Sequence, residues 1–162
     1  MTATAVHTTA DANSLTADAN PITAASALQK LLPGLVALTL DAKQAHWNVT
    51  GAGFLPLHAL TDEIATATRA WADRVAERAL ALGFAVDARP RTVATVAGEF
   101  PGGRLGDRQT IIALGAVIDG LAADARAELR HLEKADAVAH DIYVDVLEGL
   151  DKYRWMLRAQ AQ

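Results

Sequence analysis

Side chains that commonly bind metal ions are concentrated between positions 46 and 77 of the chain. The candidates are His46, His58, Asp62, Asp73 and Glu77. The chain contains no cysteine, so a metal site would have to use imidazole nitrogen and carboxylate oxygen. This donor set suits ferrous iron, manganese or zinc, and ligand type alone does not distinguish among them.

Four of these side chains fall on one face if residues 54–82 form a single helix. With His58 at zero, Asp62 lies at about 40°, Asp73 at about 60° and Glu77 at about 100° around the helix axis. The apolar stripe falls at about 200° to 260°, nearly on the opposite side. We therefore expect the four side chains to point away from the subunit's own core. The stripe consists of Leu57, Leu60, Ile64, Trp71, Val75 and Leu82.

The spacing along the helix divides the candidates into two pairs. His58 and Asp62 are four residues apart, as are Asp73 and Glu77, so each pair could contact one ion. The two pairs cannot share an ion, because Asp62 and Asp73 are separated by about 16 Å of helix. A second copy running antiparallel across a two-fold axis would bring unlike pairs together. The alternative is a solvated polar face, with Arg69 and Arg74 as ordinary salt-bridge partners.

The residues around these positions resemble the signature of the Dps family of miniferritins. The resemblance extends over about residues 27–158 and is specific in residue types and in spacing. It includes the segment Asp151–Trp155 (DKYRW) near the end of the chain. Its main part is the run Lys43–Val49 (KQAHWNV), then Gly51, Phe54, Leu57, His58 and Asp62, then Asp73, Ala76, Glu77 and Arg78.

The resemblance implies a ferroxidase centre shared between two subunits. His46, His58 and Asp62 would come from one subunit, and Asp73 and Glu77 from its two-fold partner. It also implies that the metal is iron, that hydrogen peroxide or O2 is the oxidant, and that a homododecameric shell stores the ferric mineral. Trp47 matches a tryptophan that the family is credited with using to absorb stray oxidising equivalents. Trp71 could equally serve ordinary core packing.

Three carboxylates near the start of the last helix are candidates for an iron-entry pore. They are Asp136, Asp141 and Asp145. A channel with a negative field concentrates cations, which is what entry into a shell would require. The alternative is that these carboxylates stabilise the helix N-terminus through its dipole, whatever the function. The sequence leaves both interpretations open.

Composition favours a single all-α domain. The chain has 162 residues, of which 51% are hydrophobic, and this is enough for one buried core. Glycine and proline are scarce in the periodic segments, which favours helices. We expect a ferritin-like four-helix bundle over residues 25–162, with a short extra helix in the long crossover between helices 2 and 3. Residues 1–24 are expected to form a flexible tail.

Local signals predict where the helices begin and end. Ser26 is a candidate cap of the first helix, and Pro33-Gly34 predicts a kink or a later start within it. Asp107 is a candidate cap of the third. The predicted helices span about Ala27–Val49, Phe54–Leu82 with a stop at Gly83, Thr92–Glu99 in the crossover, Asp107 onward, and Asp136–Ala159.

Charge argues against a role centred on DNA. The net charge is -4, and residues 1–26 contain no Lys or Arg, whereas phosphate binding relies on such cations. We therefore expect DNA binding to be weak or absent. The N-terminus lacks the pattern of a secretory signal, and the chain has no run of eighteen uncharged apolar residues. We expect a cytoplasmic protein that does not bind membranes.

Alternative functions come from other classes. The protein could be a nucleoid-associated protein that compacts DNA, with an incidental metal site. It could be a shell whose zinc sites activate water for hydrolysis of a small amide or ester. It could also be a plain helical oligomer whose polar face packs through salt bridges. The leading interpretation is an iron-storing ferroxidase that protects against oxidative stress.

Overall fold

Four long helices and one short helix make up the fold. The computed structural model describes residues 20–160. The helices are α1 (Pro21–Asn48), α2 (Phe54–Ala81), α3 (Pro90–Val96), α4 (Asp107–Ala135) and α5 (Ala137–Ala159). The predicted all-α four-helix bundle, with a short helix in the crossover between its second and third long helices, is confirmed. Two parallel two-residue strands, β1 (Val49–Thr50) and β2 (Leu105–Gly106), were not predicted.

Neighbouring helices of the bundle run antiparallel. In the α1–α2 pair, the hydroxyls of Thr39 and Thr68 are 2.9 Å apart, and Lys43 contacts Asp62. Partner numbers fall in α2 as they rise in α1, as antiparallel packing requires. The pair is joined by the Gly51–Gly53 connection, which matches the predicted break. The α1–α2 connection therefore brings the end of one helix beside the start of the next.

The second helix pair, α4 and α5, is antiparallel as well. Arg126 pairs with Asp151 and Asp119 with Arg154, so α4 and α5 are also antiparallel. The crossover and the β1–β2 contact place the start of α4 beside the end of α1. The four helices enclose one apolar core, in which Tyr143 is fully buried and donates a hydrogen bond to the carbonyl of Ala27 at 2.6 Å.

The stripe predicted for α2 faces this core. Leu57, Leu60, Ile64 and Val75 are buried, and Trp71 is half-buried against the same cluster. Because the stripe is buried, the opposite face of α2 is free to carry polar side chains.

The first helix begins earlier than predicted. It starts at Pro21, and the side chain of Asn20 accepts a hydrogen bond from the Thr23 amide at 3.1 Å. The prediction that Ser26 caps the helix was therefore wrong, because Asn20-Pro21 supplies both a better cap and a proline suited to the first helical position. Residues 21–24, predicted as tail, are helical. The rest of the predicted tail, residues 1–19, lies outside the described residues.

Pro33 does not end α1. It lies inside the helix and is buried, and a Cβ on Gly34 would approach Leu121 of α4 to 2.7 Å. Packing between α1 and α4 thus uses the small residue after the proline. A proline removes one backbone hydrogen bond, a cost that the burial of a long apolar helix face outweighs.

Two other predicted boundaries were also wrong in detail. The crossover helix spans Pro90–Val96, because the proline is well placed at its first position. Asp107 is the first residue of α4 and does not cap it; its carboxylate instead accepts a hydrogen bond from the Gly53 amide at 2.9 Å. The predicted stop at Gly83 agrees with the structure, where Gly83 has φ of 87°.

A broad groove is lined by α1, α4 and the crossover segment. It has a volume of about 1070 Å³ and is lined by small side chains such as Gly34, Ala37 and Gly120. Asp41 also lines it, and burial raises the pKa of this carboxyl to about 6. The groove does not include the histidines of the predicted metal site.

Within the described residues, one helix is long and apolar enough to cross a membrane. This helix is α1, and 56% of its most apolar window is buried inside the bundle. Core helices of globular proteins meet the same criterion, so the finding is weak evidence for a membrane span.

Candidate metal centre

His46 and His58 are brought together by the α1–α2 connection. His46 lies in the last turn of α1 and His58 in the second turn of α2. Their rings stack with centroids 3.7 Å apart and an interplanar angle of 19°. Each Nδ1 lies 2.8 Å from the backbone carbonyl oxygen of the other histidine. This reciprocal arrangement holds both rings in a fixed orientation.

The reciprocal hydrogen bonds define which ring nitrogens can bind a metal. A carbonyl oxygen can only accept, so each Nδ1 must carry the proton and donate it. In the neutral ring, Nε2 then has a free lone pair. A backbone acceptor for the other ring nitrogen is the usual way in which proteins orient a metal-binding histidine. Both histidines are therefore prepared to bind a cation through Nε2.

Asp62 lies one helical turn after His58 and is exposed. The Lys43 ammonium donates a hydrogen bond to Asp62 Oδ1 at 2.7 Å. This hydrogen bond is the main reason why the pKa of Asp62 is lowered; desolvation opposes it, and the charges of Lys43, His46 and His58 add to it. The carboxylate is thus ionised at neutral pH. The positively charged Lys43 side chain already contacts this carboxylate.

Trp47 lies beside the same lysine. Lys43 Nζ is 5.6 Å from the centroid of the Trp47 ring, and 69% of the Trp47 side chain is exposed. The predicted redox-accessory residue directly follows His46 in the chain. Its redox role stays a prediction.

Asp73 and Glu77 lie further along the same helix, and both are exposed. In the part of the chain that the structure describes, neither carboxylate forms a salt bridge. Arg74, proposed above as an ordinary partner, instead reaches α5 and pairs with Asp145 at 2.8 Å. The second half of the predicted site is therefore available to an external group.

One protomer does not complete the site. Within residues 20–160, no three His, Asp or Glu side chains come close enough to hold a metal ion together. The structure joins His46 and His58, with Asp62 one turn away, and leaves Asp73 and Glu77 about 16 Å along the helix. The five-residue site predicted from the sequence stays a prediction that requires a second chain.

The three candidate pore residues have different environments. Asp136 is the N-cap of α5, where its side chain accepts from the Ala139 amide, and it also pairs with Arg78. Burial acts to raise the pKa of Asp136, but the hydrogen bonds from Arg78 and from the Ala139 amide act in the opposite direction. Together they outweigh burial, so the pKa is lowered. Asp145 pairs with Arg74, and Asp141 is exposed. The pore stays a prediction.

Sequence reasoning missed two residues that shape the centre. Lys43 stands three positions before His46, a spacing that places both on one side of α1 and could have identified it. Asp107 is distant in sequence, yet its carboxylate lies against the connection between the two histidines. A Cβ on Gly51, whose φ is 126°, would lie 2.6 Å from Asp107 Oδ1. Only a glycine fits there.

Comparison with known proteins identifies the family. Residues 25–162 match the Ferritin family, described as a ferritin-like domain. The chain is 31% identical over 140 residues to the DNA protection during starvation protein of Mycolicibacterium smegmatis, covering 85% of this chain and 76% of that one. It is 35% identical over 138 residues to DNA protection during starvation protein 2 of Deinococcus radiodurans, covering 84% of this chain but only 57% of the relative.

Solved structures agree with the sequence relatives. The structure of Dps from Microbacterium arborescens in the high iron form superposes with a TM-score of 0.85 at 34% identity, covering 91% of this chain and 99% of that one. Dps92 from Deinococcus radiodurans superposes with a TM-score of 0.82 at 33% identity, covering 86% of each chain. The bundle is therefore ferritin-like, as predicted, and the chain belongs to the Dps family.

Proposed function

We propose that the protein is a ferroxidase and iron-storage miniferritin. Fe(II) would be oxidised, with hydrogen peroxide or O2 as the electron acceptor, at centres shared between two subunits. The ferric product would be stored inside a shell of twelve copies. Iron storage and DNA protection are functions at the level of the family. The specific activity of this chain is inferred from its own residues.

The observation that supports this proposal most strongly is the presence of two incomplete half-sites in one protomer, the first formed by α1 and α2 together and the second by α2 alone. His46 and His58 have their Nδ1 atoms engaged and their Nε2 atoms free, beside the ionised Asp62. Asp73 and Glu77 lie on the same exposed face. Two antiparallel copies of α2 would combine unlike halves into two equivalent centres.

The donor set suits Fe(II). Two imidazole nitrogens and up to three carboxylates provide nitrogen and hard oxygen ligands, without sulfur. Even with both chains contributing, a site of so few protein ligands would leave open positions on the iron. Peroxide could therefore approach a bound Fe(II), and the carboxylates would stabilise the additional positive charge of Fe(III).

The surface around the half-sites suits association between copies. Trp47, Phe54 and Leu55 are exposed beside the histidine half, and Leu80 is exposed near Glu77. Apolar side chains clustered around polar groups are typical of interfaces between subunits. Pairing would cover these side chains in the same step that completes the centres.

The proposed shell requires a route by which Fe(II) can enter its cavity. Asp141, exposed near the start of α5, is the residue best placed to attract Fe(II) to a pore. Asp136 and Asp145, which are paired with arginines in the protomer, would contribute less charge. We propose a cytoplasmic location, where Fe(II) and peroxide could both reach such a shell.

The test is anaerobic addition of Fe(II) to the metal-free protein, followed by hydrogen peroxide. Ferric absorbance should develop much faster than in buffer, and the iron should remain soluble and elute with the protein. Oxidation no faster than in buffer, with precipitated iron, would contradict the proposal. An Asp124→Ala protein, changed at a carboxylate on α4, is the control and should behave as the unaltered chain.

A further inference from the structure

Small side chains leave open the groove lined by α1, α4 and the crossover, which we call the crossover groove. Ala37 of α1 lines one side, and Ala113 and Gly120 of α4 line the other. A Cβ built on Gly120 would meet no atom within 4 Å. Val96 and Ile112 also line the groove, and both side chains are exposed. The groove therefore presents apolar surface that an apolar ligand could cover.

The charge of the crossover groove is predominantly negative. Among the described residues that line it, Lys30 is the one cation, and it is already paired with Glu128 at 2.6 Å. The other charged side chains of the lining are carboxylates. They belong to Asp41, Glu99 and Asp124. A positively charged group therefore complements the charge of this groove.

Asp41 differs from the other two unpaired carboxylates because it is half-buried, whereas they are exposed. Within residues 20–160 it forms no salt bridge. Burial alone raises its pKa to about 6, without a contribution from a neighbouring charge or a hydrogen bond. At neutral pH, an ionised carboxylate thus lies in a partly desolvated position without a counter-ion.

Distances along α1 limit the size of a ligand that binds at Asp41. Asp41 follows Gly34 by seven residues, about 10 Å of helix, and Lys30 by eleven, about 16 Å. Leu121 of α4 packs against α1 at Gly34, and the Lys30–Glu128 pair lies beyond this contact. A ligand with its charge at Asp41 thus has about 10 Å of mostly apolar groove before it reaches Leu121.

We propose that the crossover groove is a binding site for an amphiphilic amine, whose ammonium group pairs with Asp41 and whose aliphatic chain lies along the apolar side chains of α1 and α4. The ammonium would donate hydrogen bonds to the carboxylate and so offset its desolvation. The chain would cover Ala37, Ala113 and the exposed Ile112. This inference is independent of the ferroxidase proposal, because none of the five candidate metal ligands lines the groove.

The experiment is isothermal titration calorimetry of the assembled protein with butylammonium, hexylammonium and octylammonium chloride at neutral pH. The affinity should rise by roughly two- to fourfold per added methylene, because each methylene removes apolar surface from water. Octanol and octanoate have similar chains but no positive charge. They should bind at least about tenfold more weakly than octylammonium. Equal binding of octanol and octylammonium would overturn the proposal.

Two variants test whether Asp41 holds the ammonium group. Asp41→Asn keeps the shape of the side chain but removes its charge, so the affinity for octylammonium should fall by about tenfold. Asp124→Asn removes the same charge from an exposed carboxylate of the groove and is the matched control. It should lower the affinity by less than about twofold, because solvent screens an exposed charge. Equal losses in the two variants would indicate attraction to the general negative charge and would overturn the proposal.

Gly120→Leu tests where the chain lies. Leucine favours a helix more than glycine does, and its Cβ would enter open space, so the variant should fold. The affinity for octylammonium should fall more than that for butylammonium, because only the longer chain extends about 10 Å from Asp41 to the level of Gly120 and Leu121. An unchanged affinity for octylammonium would contradict the proposed site.

Size-exclusion chromatography of the same variant distinguishes a ligand from a second copy of the chain. We expect Gly120→Leu to assemble as the unaltered protein does. If octylammonium did not bind to the unaltered protein and Gly120→Leu assembled poorly, the groove would be an interface between copies. That result would overturn the proposal.

Discussion

At the scale of single residues, the Lys43 ammonium would compete with a metal ion for the Asp62 carboxylate. Its ammonium occupies the side of Asp62 that a cation would approach, at 2.7 Å from Oδ1. The pair is exposed, and exposed ion pairs are weak. A divalent ion held by two histidines as well should displace the lysine. Metal binding is therefore expected to be coupled to movement of Lys43 away from Asp62.

Replacement of the lysine should favour metal binding. In Lys43→Met, Asp62 loses its competing cation, and we expect the affinity for Co(II) to rise by up to roughly fivefold, the scale of an exposed ion pair. The measurement is a titration followed by Co(II) absorbance. Lys30→Met, which removes a similar pair with Glu128, is the control and should leave the affinity unchanged. Weaker binding in Lys43→Met would refute the competition.

Asp41 should make the stability of the bundle depend on pH. Burial raises its pKa to about 6 from 3.8, so the folded protein holds this proton more tightly than the unfolded chain. The stabilisation it gives is complete below pH 3.8 and is lost as pH rises through about 6. Above that pH the ionised group is unfavourable. Asp41→Asn should therefore be more stable at neutral pH by roughly 1 kcal/mol, since partial exposure screens the charge.

Urea unfolding at several pH values between 4 and 7.5 tests this, with Asp124→Asn in the same groove as the control. A pH slope that is the same in Asp41→Asn and in the unaltered protein would show that the side chain is hydrated in the folded state.

At the scale of elements, Asp107 of α4 stabilises the α1–α2 connection, which brings the two histidines together. Its carboxylate accepts from the Gly53 amide, and its Oδ1 has no partner among the described residues. Asp107→Ala should lower the free energy of unfolding by about 1–3 kcal/mol, because the Gly53 amide loses its acceptor. The affinity for Co(II) should fall in the same variant, since His46 and His58 are no longer held in register.

Asp119→Ala is the control for this change, because it removes an ion pair with Arg154 remote from the connection. Asp107→Asn keeps an acceptor and should lie between the two. If Asp107→Ala lost stability but bound Co(II) normally, the histidine pair would not depend on this contact.

The helices and their connections also show which parts of the fold could be predicted from the sequence. Periodicity correctly predicted the buried stripe of α2 and its end at Gly83, because burial and glycine geometry act locally. Capping signals placed the start of α1 too late, and the later start considered at Pro33-Gly34 was wrong, since packing against α4 is invisible in one sequence. The kink considered there stays a prediction. The pairing of His46 with His58 could be expected from the resemblance. The roles of Lys43 and Asp107 arise from contacts between elements.

At the scale of the whole molecule, the proposed division of the centre between two chains predicts complementation. His58→Ala and Asp73→Ala subunits should each be inactive alone. A mixed pair has one centre with both defects and one centre with neither. Random mixing in equal amounts makes half of the pairs mixed, so about one quarter of the ferroxidase rate should return.

The measurement is the peroxide assay on protein in which the two variants are produced together. The control is a mixture of His58→Ala with Asp62→Ala, whose defects fall in the same half-site and should not complement. Activity in either variant alone, or none in the first mixture, would contradict the shared centre.

The overall charge predicts little affinity for DNA. The net charge is -4 per chain, and assembly into the proposed shell would multiply it, so such a shell should repel phosphates. Gel shifts at about 150 mM salt should show no retention of DNA at low protein excess. A shift that survived this salt would favour the nucleoid-compaction alternative, in keeping with the name of the relatives, DNA protection during starvation proteins.

The separation of the two half-sites by about 16 Å along α2 also determines when the centre can become active after synthesis. A newly folded subunit holds no finished centre, so under the proposed function it cannot drive iron chemistry on its own. Oxidation begins only once partners meet, and at low concentration its rate should grow with the square of subunit concentration. Ferric iron would thus not be deposited on unassembled chains. Dilution would remove the ferroxidase activity by separating the subunits, without unfolding them.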